Sequence, residues 1–89
     1  MSGVARVRQD RTGNLIIGNL APTVFVNNQP IAVEGADVIP YGEGCKSSPR
    51  LGPGSGTVSA EGKSVVRAGD RDICGTPVSP GSSDVTAGG

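Results

Sequence analysis

The sequence predicts an all-β, loop-rich fold of three quasi-equivalent β-hairpins in a pseudo-threefold arrangement. Three observations carry this. First, 15 Gly and 7 Pro among 89 residues favour turns and irregular backbone. Second, the apolar residues are β-branched: eleven Val and five Ile against three Leu, with one Phe, one Tyr and no Trp. That composition lacks the leucine and aromatic mass of a helical bundle, and it suits pleated, half-buried surfaces. Third, the chain repeats itself. Pro22–Gly35 aligns with Gly56–Gly69, 34 residues further on, with apolar and turn positions coinciding.

Each copy is a short apolar run, a two-residue polar turn and a second run. Val24 and Val26 before the turn, and Ile31 and Val33 after it, keep the period of two expected of strands. The turns are Asn27-Asn28 and Glu61-Gly62, residue types suited to the positive φ of a tight hairpin. A third copy is split between the termini. Gly3-Val4-Ala5-Arg6-Val7 resembles the outgoing strand Ser64–Ala68, and Ser83–Gly89 resembles an incoming strand with its turn. Read as a circle, residues 1–89 form one domain of three hairpin units.

Connectors complete the circle. Asp10–Ala21 carries a Gly13-Asn14 turn and a short strand at Leu15-Ile16-Ile17. Asp70–Ser83 has Gly75-Thr76-Pro77 as its turn and a second short strand at Thr76-Pro77-Val78. Gly42–Gly56 holds the longest run of turn residues and reads as a long loop, ordered or partly mobile. So short a chain buries only about 60–65% of its unfolded surface, so its core needs bracing from elsewhere.

Charge and residue inventory narrow the function. Eight basic and eight acidic residues give net zero charge, and Arg6, Arg8 and Arg11 are interrupted by Asp10, so no basic patch for nucleic acid is expected. No apolar stretch approaches the roughly 20 residues of a membrane span. Met1–Arg6 has no apolar signal core, which predicts synthesis in the cytoplasm without export by a signal peptide. There is no His, so the commonest general base and metal ligand are both missing. An enzyme is not expected.

Taken together, the phrases resemble those of the PAAR-repeat proteins. Ala21-Pro22-Thr23-Val24-Phe25-Val26-Asn27-Asn28-Gln29-Pro30-Ile31-Ala32-Val33 is similar to that family's Ser-Pro-Thr-Val-Phe-Val-Asn-Gly-Lys-Pro-Ala-Ala-Arg element. Gly3-Val4-Ala5-Arg6 and Ser64–Asp70 resemble its Pro-Ala-Ala-Arg element, and Asp70–Val85 resembles its closing stretch. The resemblance covers nearly the whole chain. It implies a small β-rich cone without catalysis of its own, the tip of a membrane-piercing spike. The implied partner is a trimeric β-helical spike protein, one copy of the tip per trimer, in a contractile phage tail baseplate. Contact with the host envelope would be transient, without stable insertion, and the location would be the virion. The alternative is a tip of a type VI secretion spike, or an adaptor recruiting cargo to it. Some members carry effector extensions; the lack of one here leans toward the phage. Surfaces expected to meet the spike are Val24, Phe25, Val26, Val58 and Val85.

Many resembling tips hold zinc or iron near the apex with three His and one Cys. Only Cys74 matches that set. The expected His positions, around Thr12-Gly13-Asn14 and Tyr41-Gly42-Glu43-Gly44, hold none, and Cys45 stands near the second. Two thiolates fall short of the usual four ligands, although Asp10, Glu43 or Asp72 would be available to complete a set. A Cys45–Cys74 disulfide is the competing brace. It would close a loop of about 30 residues and stabilise by roughly 3–4 kcal/mol. Unlinked thiols are the third alternative. Phe25 reads as core or spike packing, Tyr41 beside Pro40 as a loop cap, and Arg71-Asp72 as a solvated turn.

Overall fold

The computed structural model describes residues 2–88. Its regular structure is short and almost entirely β. Six two-residue strands form three antiparallel pairs: β1 (Ser2–Gly3) with β6 (Thr86–Ala87), β2 (Phe25–Val26) with β3 (Gln29–Pro30), and β4 (Ser59–Ala60) with β5 (Lys63–Ser64). Phe25 lies opposite Pro30, Ser59 opposite Ser64, and Gly3 opposite Thr86. Asn27, Asn28, Glu61 and Gly62 close two of the pairs with φ of 52°, 67°, 51° and 81°, the left-handed conformation such turns require. The turn that would join β6 to β1 involves Gly89 and Met1, which lie outside the described residues.

The three pairs are tied by a cyclic hydrogen-bond pattern. The Ala5 amide donates to the Val66 carbonyl at 2.8 Å, the Val66 amide to Ala32 at 3.1 Å, and the Ala32 amide to Ala5 at 3.0 Å. The ring closes on itself. It is flanked by three bridges of the same cyclic sense, Val4 with Arg67, Ile31 with Arg6, and Val65 with Val33. Just outside it, the amides of Val4, Ile31 and Val65 donate to the carbonyls of Val85, Val24 and Val58. Around the ring, residues of one unit thus find their counterparts in the other two, and Ala5, Ala32 and Val66 are fully buried at the meeting point.

Two hydrophobic clusters lie about this ring. Val4, Ala21, Val26, Ile31, Val33, Ala60, Val65 and Ala87 pack beneath the hairpins. Ala5, Val7, Ile16, Ala32, Ala36, Val38, Leu51, Val66 and Val78 pack beneath the connecting loops. Strand alternation explains the division, because neighbours such as Val4 and Ala5 point to different clusters. The expected strands at Leu15–Ile17 and Thr76–Val78 are reduced to single bridges, Arg11 with Leu15, Ile16 with Val38, and Arg71 with Pro77. Pro77 has no amide to extend such a ladder. The Gly42–Gly56 segment holds a 3-10 helix at Gly44–Ser47, and its second half buries Pro49, Leu51, Gly52 and Ser55.

Candidate functional site

The hairpin half carries the surface that the sequence marks for a partner. Val24, Val58 and Val85 occupy corresponding positions, each with its carbonyl accepting from the outgoing strand of its own unit. Phe25 is 60% exposed, Val58 41% and Val85 39%, whereas Val24 is partly buried against the core. Val26 is 5% exposed and packs inward, as do its counterparts Ala60 and Ala87, so its side chain offers little outward surface. At the position of Phe25 the other two units carry Ser59 and Thr86.

The two described hairpin turns, and Gly88 at the corresponding position of the third unit, are each clipped to an arm of another unit. The Asn27 amide group donates to Asp84 Oδ2 at 3.1 Å, and its oxygen accepts from the Ser82 hydroxyl at 2.6 Å. Glu61 Oε2 accepts from the amide and hydroxyl of Thr23, at 3.1 and 2.6 Å. The Gly88 carbonyl accepts from the hydroxyl of Ser55. These hydrogen bonds from Thr23 hold the Glu61 carboxyl below its usual range. Ser55 and Ser82 are buried, and each also accepts from two backbone amides that follow it in sequence, turning the incoming arm toward its strand.

Two forked ion pairs brace the outgoing strands. Arg6 Nε donates to Asp10 Oδ2 at 2.9 Å and Nη2 to Oδ1 at 3.0 Å. Arg67 makes the same fork to Asp70 at 2.8 and 2.9 Å. In the third unit the corresponding residues are Val33 and Ala36, both fully buried, and only the backbone turn from Ala36 to Val33 is kept. Hydrogen bonding to the carboxylate raises both guanidinium pKa values. Arg6 is therefore internal to the fold, and Asp10 is spoken for by it and by the Gly81 amide.

The loop half ends in three unequal loops. Three residues separate Arg11 from Leu15, five separate Arg71 from Pro77, and twelve separate Asp37 from Arg50. Cys45 and Cys74 are joined by a disulfide between the two longer loops, with Cα atoms 5.7 Å apart. Beside it the Tyr41 hydroxyl donates to Asp72 and lies 2.9 Å from the Thr76 hydroxyl. Asp72 Oδ1 accepts the amides of Cys74 and Thr76, each at 2.9 Å. Arg71 is exposed, but Asp72 is 4% exposed, which corrects the expectation of a solvated turn; the carboxylate is drawn in by this set of donors. Burial works to raise its pKa, yet the hydrogen bonds from Tyr41 and from the two amides outweigh it, and the carboxyl sits below its usual range. Tyr41 shifts upward, through burial and through Asp72. It is more than a loop cap, since its ring packs on the apolar cluster.

These residues do not fit an apical metal. Among the described residues no group of three or more His, Cys, Asp or Glu side chains gathers as a ligand set. Both sulfurs are consumed by each other and both oxygens of Asp72 by donors. A side chain at Gly13, where a ligand is expected, would place its Cβ 2.2 Å from the Tyr41 ring.

A family model described as the PAAR motif matches residues 8–80. The chain belongs to the PAAR-motif family. PAAR proteins are spike tips of phage tails and type VI secretion machines, and the family is structural in role. No curated protein matches the chain. The PAAR match runs through all three loops and two of the three hairpins, and it stops short of β1 and β6.

What sequence reasoning missed here is the Tyr41–Asp72–Thr76 set and the two forked ion pairs. The signal for the pairs was present, because Arg67 and Asp70 recur as Arg6 and Asp10 in the split repeat.

Proposed function

We propose that this PAAR protein is the structural tip of a contractile phage tail, seated one copy per trimer on the blunt end of a β-helical spike protein. The observation that carries the reading is the closed backbone ring of Ala5, Val66 and Ala32, with a hairpin pair hung from each unit. A trimeric β-helix ends in three sets of unpaired backbone groups, a liability wherever edges are left open. One chain with threefold repetition meets three identical subunits while adding a single point. Phe25, Val58 and Val85 supply apolar area on that half. A standard interface takes about 800 Å² per partner, against a total accessible surface of 4422 Å². The role asks for stiffness and no chemistry, since sheath contraction supplies the work.

The test is native mass spectrometry of the protein co-expressed with a trimeric β-helical spike protein from the same source. A complex of three spike chains and one copy of this chain is expected. Three copies per trimer, or no complex, would defeat the reading. Quantifying the chain in purified virions, where one copy per tail is expected, separates the phage from a secretion machine.

A further inference from the structure

We infer that the apex of this chain is locked by oxidation in place of metal ligation: the Cys45–Cys74 cross-link fastens the long loop to the tip, and that loop is loose until the thiols are oxidised. The inference concerns the loop half and stands independently of what the hairpin half binds. Three observations converge on it.

The twelve-residue loop is tied at its base, where the Ile39 amide donates to Leu15 and the Pro40 carbonyl accepts from Asn14, but its outer part has few other ties. Residues 42–48 are all exposed, and the 3-10 helix Gly44–Ser47 buries nothing. The hydrogen bonds of this outer part are internal to the loop: Tyr41 amide to Lys46 carbonyl, Lys46 to Glu43, Ser48 to Cys45, and the Ser47 hydroxyl to Gly44. Lys46 sits over the Tyr41 ring at 5.8 Å, again a contact within the same segment. The two shorter loops need no such fastening, because their ends are already bridged across three and five residues. Beyond Tyr41, the disulfide is what reaches from this loop to its neighbour.

The alternative fastener lacks a ligand set: among the described residues no three His, Cys, Asp or Glu side chains gather. The chain has no His, Asp10 is forked to Arg6, and Asp72 is filled by Tyr41, Cys74 and Thr76. Tyr41 itself fills the space over Gly13. A ring against the apolar cluster plus a covalent bond thus does at this apex what four ligands around an ion would do.

The step is an ordinary exchange. The Cys45 thiolate attacks a low-molecular-weight disulfide such as oxidised glutathione, releasing one thiol. The Cys74 thiolate then displaces the second, so two thiols of the protein are oxidised and one external disulfide is reduced to two thiols. A reducing cytoplasm holds the loop open, and an oxidising medium closes it.

The experiment is limited proteolysis with a lysine-specific protease, with and without a phosphine reductant, on wild type and on the Cys45→Ser/Cys74→Ser double variant. The chain has two lysines, Lys46 in the loop and Lys63 in a hairpin, so Lys63 reports on the rest of the fold. Cleavage at Lys46 should rise by about tenfold or more on reduction, because local opening then replaces a covalent constraint. Lys63 cleavage should rise by a much smaller factor, because it reports only the loss of global stability. The double variant should cut at Lys46 at the reduced rate under both conditions, and oxidised glutathione should restore protection to the wild type alone. Elemental analysis of the reduced protein grown with zinc and iron should find far less than one equivalent of metal. Equal Lys46 cleavage in both redox states would overturn the inference. So would a rise at Lys63 as large as that at Lys46, which would show opening of the whole fold and no separate loosening of the loop, or stoichiometric metal in the reduced protein.

Discussion

The hairpin half and the loop half of this molecule treat symmetry differently. Beneath the hairpins, repetition is kept down to individual hydrogen bonds: Val24, Val58 and Val85 accept alike, and Asn27, Glu61 and Gly88 are each clipped by an arm of another unit. Beneath the loops, Ile16, Leu51 and Val78 still correspond as buried apolar residues, but the loops they support span three, twelve and five residues. The proposed seating on a trimeric spike would account for the difference: three equal units would meet three equal subunits, whereas the opposite end would have no threefold partner and would be free to be built from one long loop. The cost falls on the loop half, which needs a cross-link where the hairpin half manages with backbone hydrogen bonds and side-chain clips.

The largest way to break this contrast is to remove the cross-link. Replacing Cys45 and Cys74 together by Ser should lower unfolding free energy by roughly 3–4 kcal/mol, from the loop of 29 residues that the bond closes. Denaturant titration of oxidised wild type against the variant reads this directly. A change under about 1 kcal/mol would mean that the unfolded chain is already constrained, and that the loop half is not the weaker one.

How much of this was legible follows the same division. The hairpin half could be read because its signals are local: Asn27-Asn28 and Glu61-Gly62 tolerate positive φ, and Val24 and Val26 alternate about them. The split third unit could be read from the likeness of Val4-Ala5-Arg6 to Val65-Val66-Arg67. The loop half could not, because its determinants are distant pairs. Cys45 with Cys74, and Tyr41 with Asp72 across 31 residues, follow no period. Sequence left disulfide, free thiols and metal side by side, and it took Asp72 for a solvent-facing residue because nothing near it announces the donors that bury it.

The second test uses one unit as the template for another. Arg67 and Asp70 are spaced as Val33 and Ala36 are, and the latter pair is apolar and buried. Asp70→Ala alone leaves a guanidinium that is 17% exposed with the Gly88 carbonyl but without its counter-charge, and should cost about 3 kcal/mol. Arg67→Val with Asp70→Ala copies the apolar unit and should recover to within about 1 kcal/mol of wild type, since replacing both partners of a buried pair by apolar groups is close to neutral. Urea midpoints of the two variants decide it. Failure of the double variant to recover would show that the units correspond in backbone but are not interchangeable in side chain.

A smaller effect is expected at Tyr41. Tyr41→Phe keeps the ring on the apolar cluster but withdraws the donor to Asp72, a hydrogen bond to a charged acceptor worth about 1.5–3 kcal/mol. The amides of Cys74 and Thr76 remain, which places the loss at the lower end of that range. The pH dependence has a definite sign. Asp72 is held below its ordinary value of 3.8 when folded. Its contribution is complete above that pH and is lost as pH falls through the folded pKa, because the unfolded chain then binds the proton more readily. Thermal melts from pH 5 downward should show a shallower acid loss in Tyr41→Phe than in wild type. Parallel slopes would assign the acid sensitivity to other carboxylates and remove Asp72 from the account of the loop half.

The smallest effect belongs to the exposed clips of the hairpin half. Glu61 takes two hydrogen bonds from Thr23, but both residues face solvent, where water competes for every donor. Glu61→Gln should therefore leave the unfolding midpoint where it is. The local readout is different: the Thr23 amide loses a charged acceptor, and its hydrogen exchange should quicken while the amides of Ala5, Ala32 and Val66 in the central ring stay slow. If those ring amides quickened too, the clips would be holding the three units together. The ring would then be a consequence of the hairpin contacts instead of their cause.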